Sequence, residues 1–444
     1  MPNGVLYNKT YPNITESDKL YARAQGLIPS YSQVLAKGPT QFVNGVAPKY
    51  LMRGAGATVW DVDGNEFLDY NMGVGPISLG YCYPAVDEAI RAQLADGITF
   101  SLVHPLEVEV SELVRETVPC AEAVRFAKSG AEATSAAVRL ARAFTGREKV
   151  LACGYHGWHD WYIGITARNG GVPEGVRSLV HTFSYTDIDY LKDAIDDETA
   201  CIIMEPMVFD FPQEGFLTAV KEVAAQHGAL LIFDEIWSGY RFDLGGAQTL
   251  FGVTPDIATF SKSVANGMPI SIVAGRQEIL ARCDDDVFFY TTFGGEALSL
   301  AATKATITEM KEKNVPDHLA KLGQTLIDGY NQIAEEAGLT GKTACKGHPA
   351  RSLITFDSSS EDPLLQKSLV QQEMIKRGVL WSGFHNMCFS HTPEHVAYTL
   401  EAYADVLPIL KEGIKSHSIE SQLRGEPVQP VFRKTSNFNI KPKK

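Results

Sequence analysis

Between about residues 84 and 305 the chain alternates segments of helical period with short, almost wholly apolar runs. That alternation restricts it to a sheet covered by helices on both faces. The helical segments are Ala85–Ala95, Glu107–Thr117, Ala131–Phe144 and Leu217–His227, and a long helix is predicted over Ala297–Lys313. The strand-type runs are Ala123–Ala127, Val150–Cys153, Cys201–Met204, Leu230–Phe233, Ile257–Phe260 and Ile270–Ala274. Runs apolar along their whole length have no solvent face, so the sheet is expected to be mostly parallel. Beyond the long helix, short strands at Leu353–Phe356 and Val379–Trp381 among helices predict a smaller α+β domain. Upstream, Val59–Asp69 reads as a β-hairpin around Asp63-Gly64, after a polar, irregular stretch with a short helix near Ser17–Gln25.

The residues that follow the strands carry chemistry. The first run ends in Lys128-Ser129-Gly130-Ala131-Glu132 and opens a helix; the second ends in Gly154-Tyr155-His156-Gly157. The next three end in Glu205-Pro206, Asp234-Glu235 and Ser261-Lys262. In open α/β sheets, ligands sit beyond the carboxyl ends of the strands. One rim would then hold a helix N-terminus suited to an anion, an aromatic ring, carboxylates and a lysine. Taken singly, each has a plainer reading. Ser129-Gly130 also suits an N-cap and a tight turn. Asp234 and Lys262, each costly to bury alone, could pair with each other. Tyr155 and His156 could be loop packing. One ligand would satisfy all of them: a flat phosphorylated pyridine aldehyde, pyridoxal 5′-phosphate. Its phosphate needs the helix N-terminus, its ring an aromatic face, its nitrogen a carboxylate and its carbonyl a lysine.

Composition excludes other classes. With 40 basic against 53 acidic residues the net charge is −13, and an acidic surface repels phosphate backbones, so no nucleic acid is expected as a partner. No apolar run approaches about 18 residues, so no membrane span is expected. The seven cysteines (82, 120, 153, 201, 283, 345, 388) are scattered without a CxxC. They read as reduced thiols of a cytoplasmic protein, not a disulfide framework or a zinc site. His156 and His159 lack the carboxylates or cysteines that would complete a metal shell, and Asp61-Val62-Asp63-Gly64 places its glycine at the wrong offset for a calcium loop. No metal is expected. The start Met1-Pro2-Asn3-Gly4 does not read as a signal peptide, so the sequons at Asn8 and Asn13 are expected to be empty.

From about residue 20 to 415 the chain resembles the class III (subgroup II) PLP-dependent aminotransferases, most closely their glutamate-1-semialdehyde aminomutase-like branch. The resemblance rests on Gly56-Ala-Thr-Val-Trp-Asp-Val-Asp-Gly-Asn, Ser129-Gly-Ala-Glu-Ala, Gly154-Tyr-His-Gly, Met204-Glu-Pro, Phe233-Asp-Glu-Ile-Trp-Ser-Gly-Tyr-Arg, Phe260-Ser-Lys and Thr292-Phe-Gly-Gly. Each motif is weak alone; all of them in order are specific. The resemblance implies the α/β fold type I of PLP-dependent transferases, the aspartate aminotransferase type. That fold has a large domain with a mostly parallel seven-stranded sheet and a small α+β domain built from both termini. Domains are accordingly expected at 1–70 and 311–420 (small), 71–310 (large, PLP-binding) and 421–444 (a polar, solvated tail).

The resemblance also implies roles. Lys262 forms the Schiff base and carries the proton. Asp234 pairs with the ring nitrogen, Tyr155 and Ile236 cover the two ring faces, and Ser129, Gly130 and Ala131 hold the phosphate. Thr292 reaches the phosphate of a neighbouring subunit, which implies a homodimer with shared sites. Glu205 lies beside the ring near the substrate, and His156 tunes the stacking aromatic indirectly.

Departures from the aminomutase pattern bear on the reaction. Lys37 stands where the family's carboxylate-binding arginine falls, and a lysine lacks the bidentate fork. The lid segment 166–176 is short, and the family's Asn-Pro after Gly-Gly is Glu296-Ala297. The stretch Gly378–Thr392 lacks the arginine of ornithine- and GABA-type relatives. The expectation is an intermolecular aminotransferase that takes a small-molecule amino donor and an aldehyde or ketone acceptor. That acceptor would be sugar-derived, an amino-alcohol precursor or otherwise without a fixed carboxylate. Lys37, Trp158, Glu296 and His385 are the substrate candidates, with Trp161, Tyr162, Trp381 and Asn386 as further lining. Aminomutase, racemase or decarboxylase chemistry is the alternative. A non-catalytic binding protein of this fold would be expected to lack Lys262 or Asp234, and both are present.

Overall fold

The computed structural model describes residues 10–430, which divide into two compact units, 84–316 and 10–83 with 317–430. The Met1–Gly4 start, the Asn8 sequon and residues 431–444 of the tail lie outside the described residues.

The unit of residues 84–316 is built on one seven-stranded sheet. In chain order its strands are β1 (Ala123–Ala127), β2 (Lys149–Cys153), β3 (Val180–Thr182), β4 (Thr199–Met204), β5 (Leu230–Asp234), β6 (Ile257–Phe260) and β7 (Ser271–Gly275). Their spatial order is β1-β7-β6-β5-β4-β2-β3. β7 runs antiparallel to both neighbours, and all other pairs are parallel. β4, β5 and β6 are buried at every position, as their continuous apolar sequences require. β3, paired through Val150↔Val180, has no apolar run long enough to be seen in the sequence.

The helix Gly130–Thr145 packs on this sheet. Its Ala133, Ala137, Val138, Leu140 and Ala141 share one core with Val150, Ile203, Ile232 and Val273. Small side chains on that face let helix and sheet approach closely. Ser129 and Glu132 form a capping box at its start, and Gly146, in the left-handed region, ends it.

In the other unit the hairpin forms between Thr58–Asp61 and Glu66–Asp69, with Asp61 Oδ1 accepting from the backbone N–H groups of Asp63 and Asn65. This unit extends to residue 83, past the expected 70. Tyr81 pairs with Gly56 across a β-bridge and donates its hydroxyl to Asp69 at 2.8 Å, which ties the segment to the hairpin. A three-stranded sheet (Thr343–His348, Arg351–Phe356, Phe384–Asn386) and the helices Pro363–Lys376 and Pro393–Ser416 complete it. The described part of the tail is docked, contrary to the expectation of a solvated arm. Glu426 bridges to Asn44, and Val428 is buried against Val43 and Phe67. Buried Val428 and backbone bonds such as Val428 N to Ser368 Oγ and Gln429 N to Thr40 O hold the segment down.

Candidate active site

β1, β2, β4, β5 and β6 all run in one direction, so their carboxyl ends share one edge of the sheet. At the β1 end, the Glu132 side chain accepts from Ser129 N at 2.7 Å and Lys128 N at 3.0 Å, while Ser129 Oγ accepts from Glu132 N. The N–H groups of Gly130 and Ala131 lie in the first turn, where a helix offers them no partner of its own. A Cβ on Gly130 would come within 2.6 Å of Ile236 Cδ1, and one on Gly157 within 2.6 Å of Ala131 Cβ. Gly157 also has a φ of +101°, which side-chain-bearing residues rarely adopt. The loop after β2 and the segment after β5 thus pack closely on the helix N-terminus, whose first N–H groups suit an anion.

Asp234 ends β5 and is 2% exposed. Its Oδ2 lies 2.7 Å from His156 Nδ1, and its Oδ1 accepts from Ile236 N at 3.1 Å and more distantly from Thr259 Oγ1 at 3.4 Å. His156 Nε2 is 3.1 Å from the Cys153 carbonyl, so the ring lies between two acceptors and turns Nδ1 toward the carboxylate. A buried carboxylate here is tenable because this set of donors holds it. Thr134 Oγ1 donates to the His156 carbonyl at 2.7 Å and pins the histidine to the Gly130 helix.

Tyr155 presents a half-exposed ring, braced edge-on by Tyr162 at 5.7 Å; Tyr162 Oη in turn donates to Gly154 O at 2.7 Å. Glu205, after β4, accepts from Tyr155 N at 2.8 Å. Burial, with the charges of Asp234 and Glu205, pushes the Tyr155 hydroxyl up from its ordinary value. Lys262, after β6, has a φ of +39°, an uncommon conformation for a residue with a side chain. Its Nζ sits 3.7 Å from the centroid of the Trp237 ring.

Thr292 and Glu296 lie on a segment laid along the edge strand β1. Arg125 donates to the Phe289 carbonyl and packs on Tyr290, and a Cβ on Gly294 would meet the Phe126 carbonyl at 2.8 Å. Thr292 is exposed. The Glu296 carboxylate accepts from Leu298 N and Ser299 N, capping the helix Ala297–Glu312, and pairs with Lys128 Nζ at 2.7 Å.

The unit thus brings Ser129, Gly130, Ala131, Tyr155, His156, Glu205, Asp234, Ile236 and Lys262 to one rim. The substrate candidates fall in both units. Trp158 is 68% exposed. Lys37 closes a short 3₁₀ turn in the other unit. His385, in that same unit, is a core residue: fully buried, bonded to Tyr403 Oη at 2.8 Å and near Ser352 Oγ, with burial holding its pKa down at about 3. Trp161 and Tyr162 belong to the core beneath the Gly130 helix, and Trp381 and Asn386 are buried as well. Sequence reasoning missed the direct His156–Asp234 bond and the seat of Lys262 on Trp237. Trp237 lies inside a quoted motif, yet linear spacing does not reveal which way its ring turns. Among the described residues no cluster of metal-binding side chains occurs, and no helix is long and apolar enough to cross a membrane.

The family model for class-III aminotransferases matches residues 43–409. The chain is 35% identical over 413 residues to the 3-aminobutyryl-CoA aminotransferase of Cloacimonas acidaminovorans (strain Evry), covering 90% of this chain and 98% of the relative. It is 34% identical to the glutamate-1-semialdehyde 2,1-aminomutase of Archaeoglobus fulgidus, covering 89% of this chain and 100% of that one. Among solved structures it is similar to the PLP internal aldimine form of FumI from Sphingopyxis sp. MTA144, with a TM-score of 0.83, 28% identity and coverage of 90% and 98%. An omega-transaminase from Sphaerobacter thermophilus matches with a TM-score of 0.81 and 28% identity, covering 89% and 98%. The fold is that of the type I transaminases, as the sequence predicted. The chain is a member of the class-III aminotransferase family.

Proposed function

We propose that this aminotransferase uses pyridoxal 5′-phosphate to pass an amino group from a small-molecule donor to an aldehyde or ketone whose neighbouring group carries no fixed carboxylate. The observation that carries the reading is the convergence on one rim of a helix N-terminus suited to an anion, a buried carboxylate and a lysine. The residues fit this cofactor: only glycine at 130 and 157 allows the close packing at that N-terminus. The N–H groups of Gly130 and Ala131, with Ser129, would hold the phosphate. Tyr155 and Ile236 would cover the ring faces, Glu205 would stand beside the ring, and Asp234 would face the ring nitrogen. When bound, the cofactor supplies an electron sink that makes the proton beside an amine removable. Asp234 keeps the ring nitrogen protonated, and His156 holds that carboxylate in place. Lys262 Nζ takes the proton from the amine-bearing carbon of the donor and delivers one to the carbonyl carbon of the acceptor.

Two features favour an acceptor without a fixed carboxylate. Lys37 stands in place of a forked arginine, and the relative at 35% identity is named for a thioester of an amino acid, in which the carboxyl group carries no charge. Aminomutase relatives at similar identity support the second reading, an internal amino exchange. A ¹⁵N-labelled donor separates the two. Label appearing in a second carbonyl compound supports transamination. Isomerisation of an amino aldehyde with no nitrogen exchange between molecules contradicts it.

The same reading includes a homodimer in which Thr292 serves the partner's phosphate. Its support is an apolar face around Thr292, where Phe288, Tyr290 and Phe293 are 74%, 53% and 57% exposed. It also includes a cytoplasmic location, supported by seven free thiols, of which six are buried.

A further inference from the structure

Lys262 reaches the face of an aromatic ring. Its Nζ lies 3.7 Å from the Trp237 ring centroid, well inside the roughly 6 Å over which an ammonium is drawn to the negative face of an indole. The contact follows from topology. Trp237 comes just after the end of β5, Lys262 just after β6, and these strands are paired neighbours. Both residues are partly buried, so water screens the attraction less than at a free surface. The backbone of Lys262 is itself held in the left-handed region, which fixes where its side chain departs.

We infer that Trp237 is a positioning residue for Lys262: its ring holds the lysine as an ammonium whenever the amine is free, and so governs how readily that amine becomes the base. The inference rests on the reading of Lys262 as the proton carrier. The elements around this lysine carry other ionisable groups. The neighbouring strand ends bring Tyr155, His156, Glu205 and Asp234 to the rim. The helix Ala297–Glu312, packed against the Lys262 turn, carries Lys304, Glu309, Lys311 and Glu312 and is capped by Glu296. Glu296 is neutralised by Lys128, Lys304 by Glu109, Lys311 by Glu116 and Glu309 by Lys313. Asp234 is bonded to His156 and Glu205 to Tyr155 N. The indole neither titrates nor carries charge, so replacing it changes the proton affinity of Lys262 while leaving every one of these pairs in place.

The test uses the full-length protein in its pyridoxamine 5′-phosphate form, in which Lys262 is not linked to the cofactor. Trace acetic anhydride acetylates amines but not ammonium groups. The labelling of Lys262 is followed against pH by peptide mass analysis, with the exposed Lys192 as internal reference. Trp237→Leu should move the Lys262 profile about one pH unit lower, roughly a tenfold faster labelling at pH 7. Trp237→Phe, which keeps a ring face, should stay within about threefold of the parent. A Trp237→Leu profile that superimposes on the parent, or a Phe variant that moves as far as Leu, overturns the inference. Should Trp237→Leu lose its circular dichroism signature, Trp237→Met carries the same comparison. Lys262→Ala distinguishes the two levels. Turnover retained in Lys262→Ala removes the reading of Lys262 itself, whereas an inactive Lys262→Ala beside an unmoved Trp237→Leu profile removes only the role of Trp237.

Discussion

A carboxylate left 2% exposed at the end of an apolar strand persists because Asp234 is met by an imidazole N–H, a backbone N–H and a more distant hydroxyl. The same donors leave it oriented, and orientation is what a ring-protonating group needs. Asp234→Asn keeps the shape but removes the charge, and should lower turnover by roughly 10³–10⁴-fold, the scale on which losing such a carboxylate acts. His156→Asn acts one step further out and should cost about 10–100-fold. Both are read by the single-turnover rate at which a donor bleaches the yellow enzyme; an Asp234→Asn enzyme within tenfold of the parent would contradict the assignment. Gly157→Ala places a Cβ 2.6 Å from Ala131 Cβ at a positive φ. It should cost about 1–3 kcal/mol of stability and loosen cofactor retention, measured as Tm and as the rate of cofactor loss on dilution.

At the scale of elements, two helix N-termini do different work. Ser129 caps the Gly130 helix while the next two N–H groups remain available for an anion. Glu296 caps the Ala297 helix with both carboxylate oxygens and balances Lys128 as well. Glu296 therefore has a structural task at the start of that helix, distinct from the substrate role expected of it. Glu296→Ala should lower stability by about 1–2 kcal/mol in urea denaturation with donor and acceptor KM within about twofold; a selective rise in one KM would restore the substrate role.

This is also the scale at which the sequence was most legible. Ala123–Ala127 and Ile257–Phe260 were bounded to the residue, because short, mostly apolar runs between turn residues leave one reading. The rim followed from what stood after each strand. Val180–Thr182 was not legible, since three residues carry no period. The burial of His385 and Trp381 was not legible either. An aromatic or histidine beside glycines has the same linear signature in a core as in a pocket, and only tertiary packing separates them.

For the whole molecule, buried acids set a pH dependence. Burial pushes Glu235 up to about 7 and Asp69 to about 6. Each holds its proton more tightly folded than unfolded, so its share of stability is complete below the ordinary values of 4.5 and 3.8. That share is lost as pH rises through about 7 and 6. Urea denaturation of Glu235→Gln should accordingly show a flatter fall in stability between about pH 5 and 8 than the parent. An unchanged slope would mean that Glu235 binds its proton no more tightly folded than unfolded. Association belongs to this scale too: for the proposed homodimer, Phe293→Glu should shift sedimentation toward monomer and lower turnover together, and an unchanged sedimentation profile would contradict that interface.

The central claim is that Lys262 is the residue joined to the cofactor. Borohydride reduction of the purified yellow protein, followed by peptide mass mapping, tests it directly. The account predicts a phosphopyridoxyl group on the peptide containing Lys262 and on no other. The same group on a different lysine, or a protein that takes up no pyridoxal phosphate at all, would contradict it.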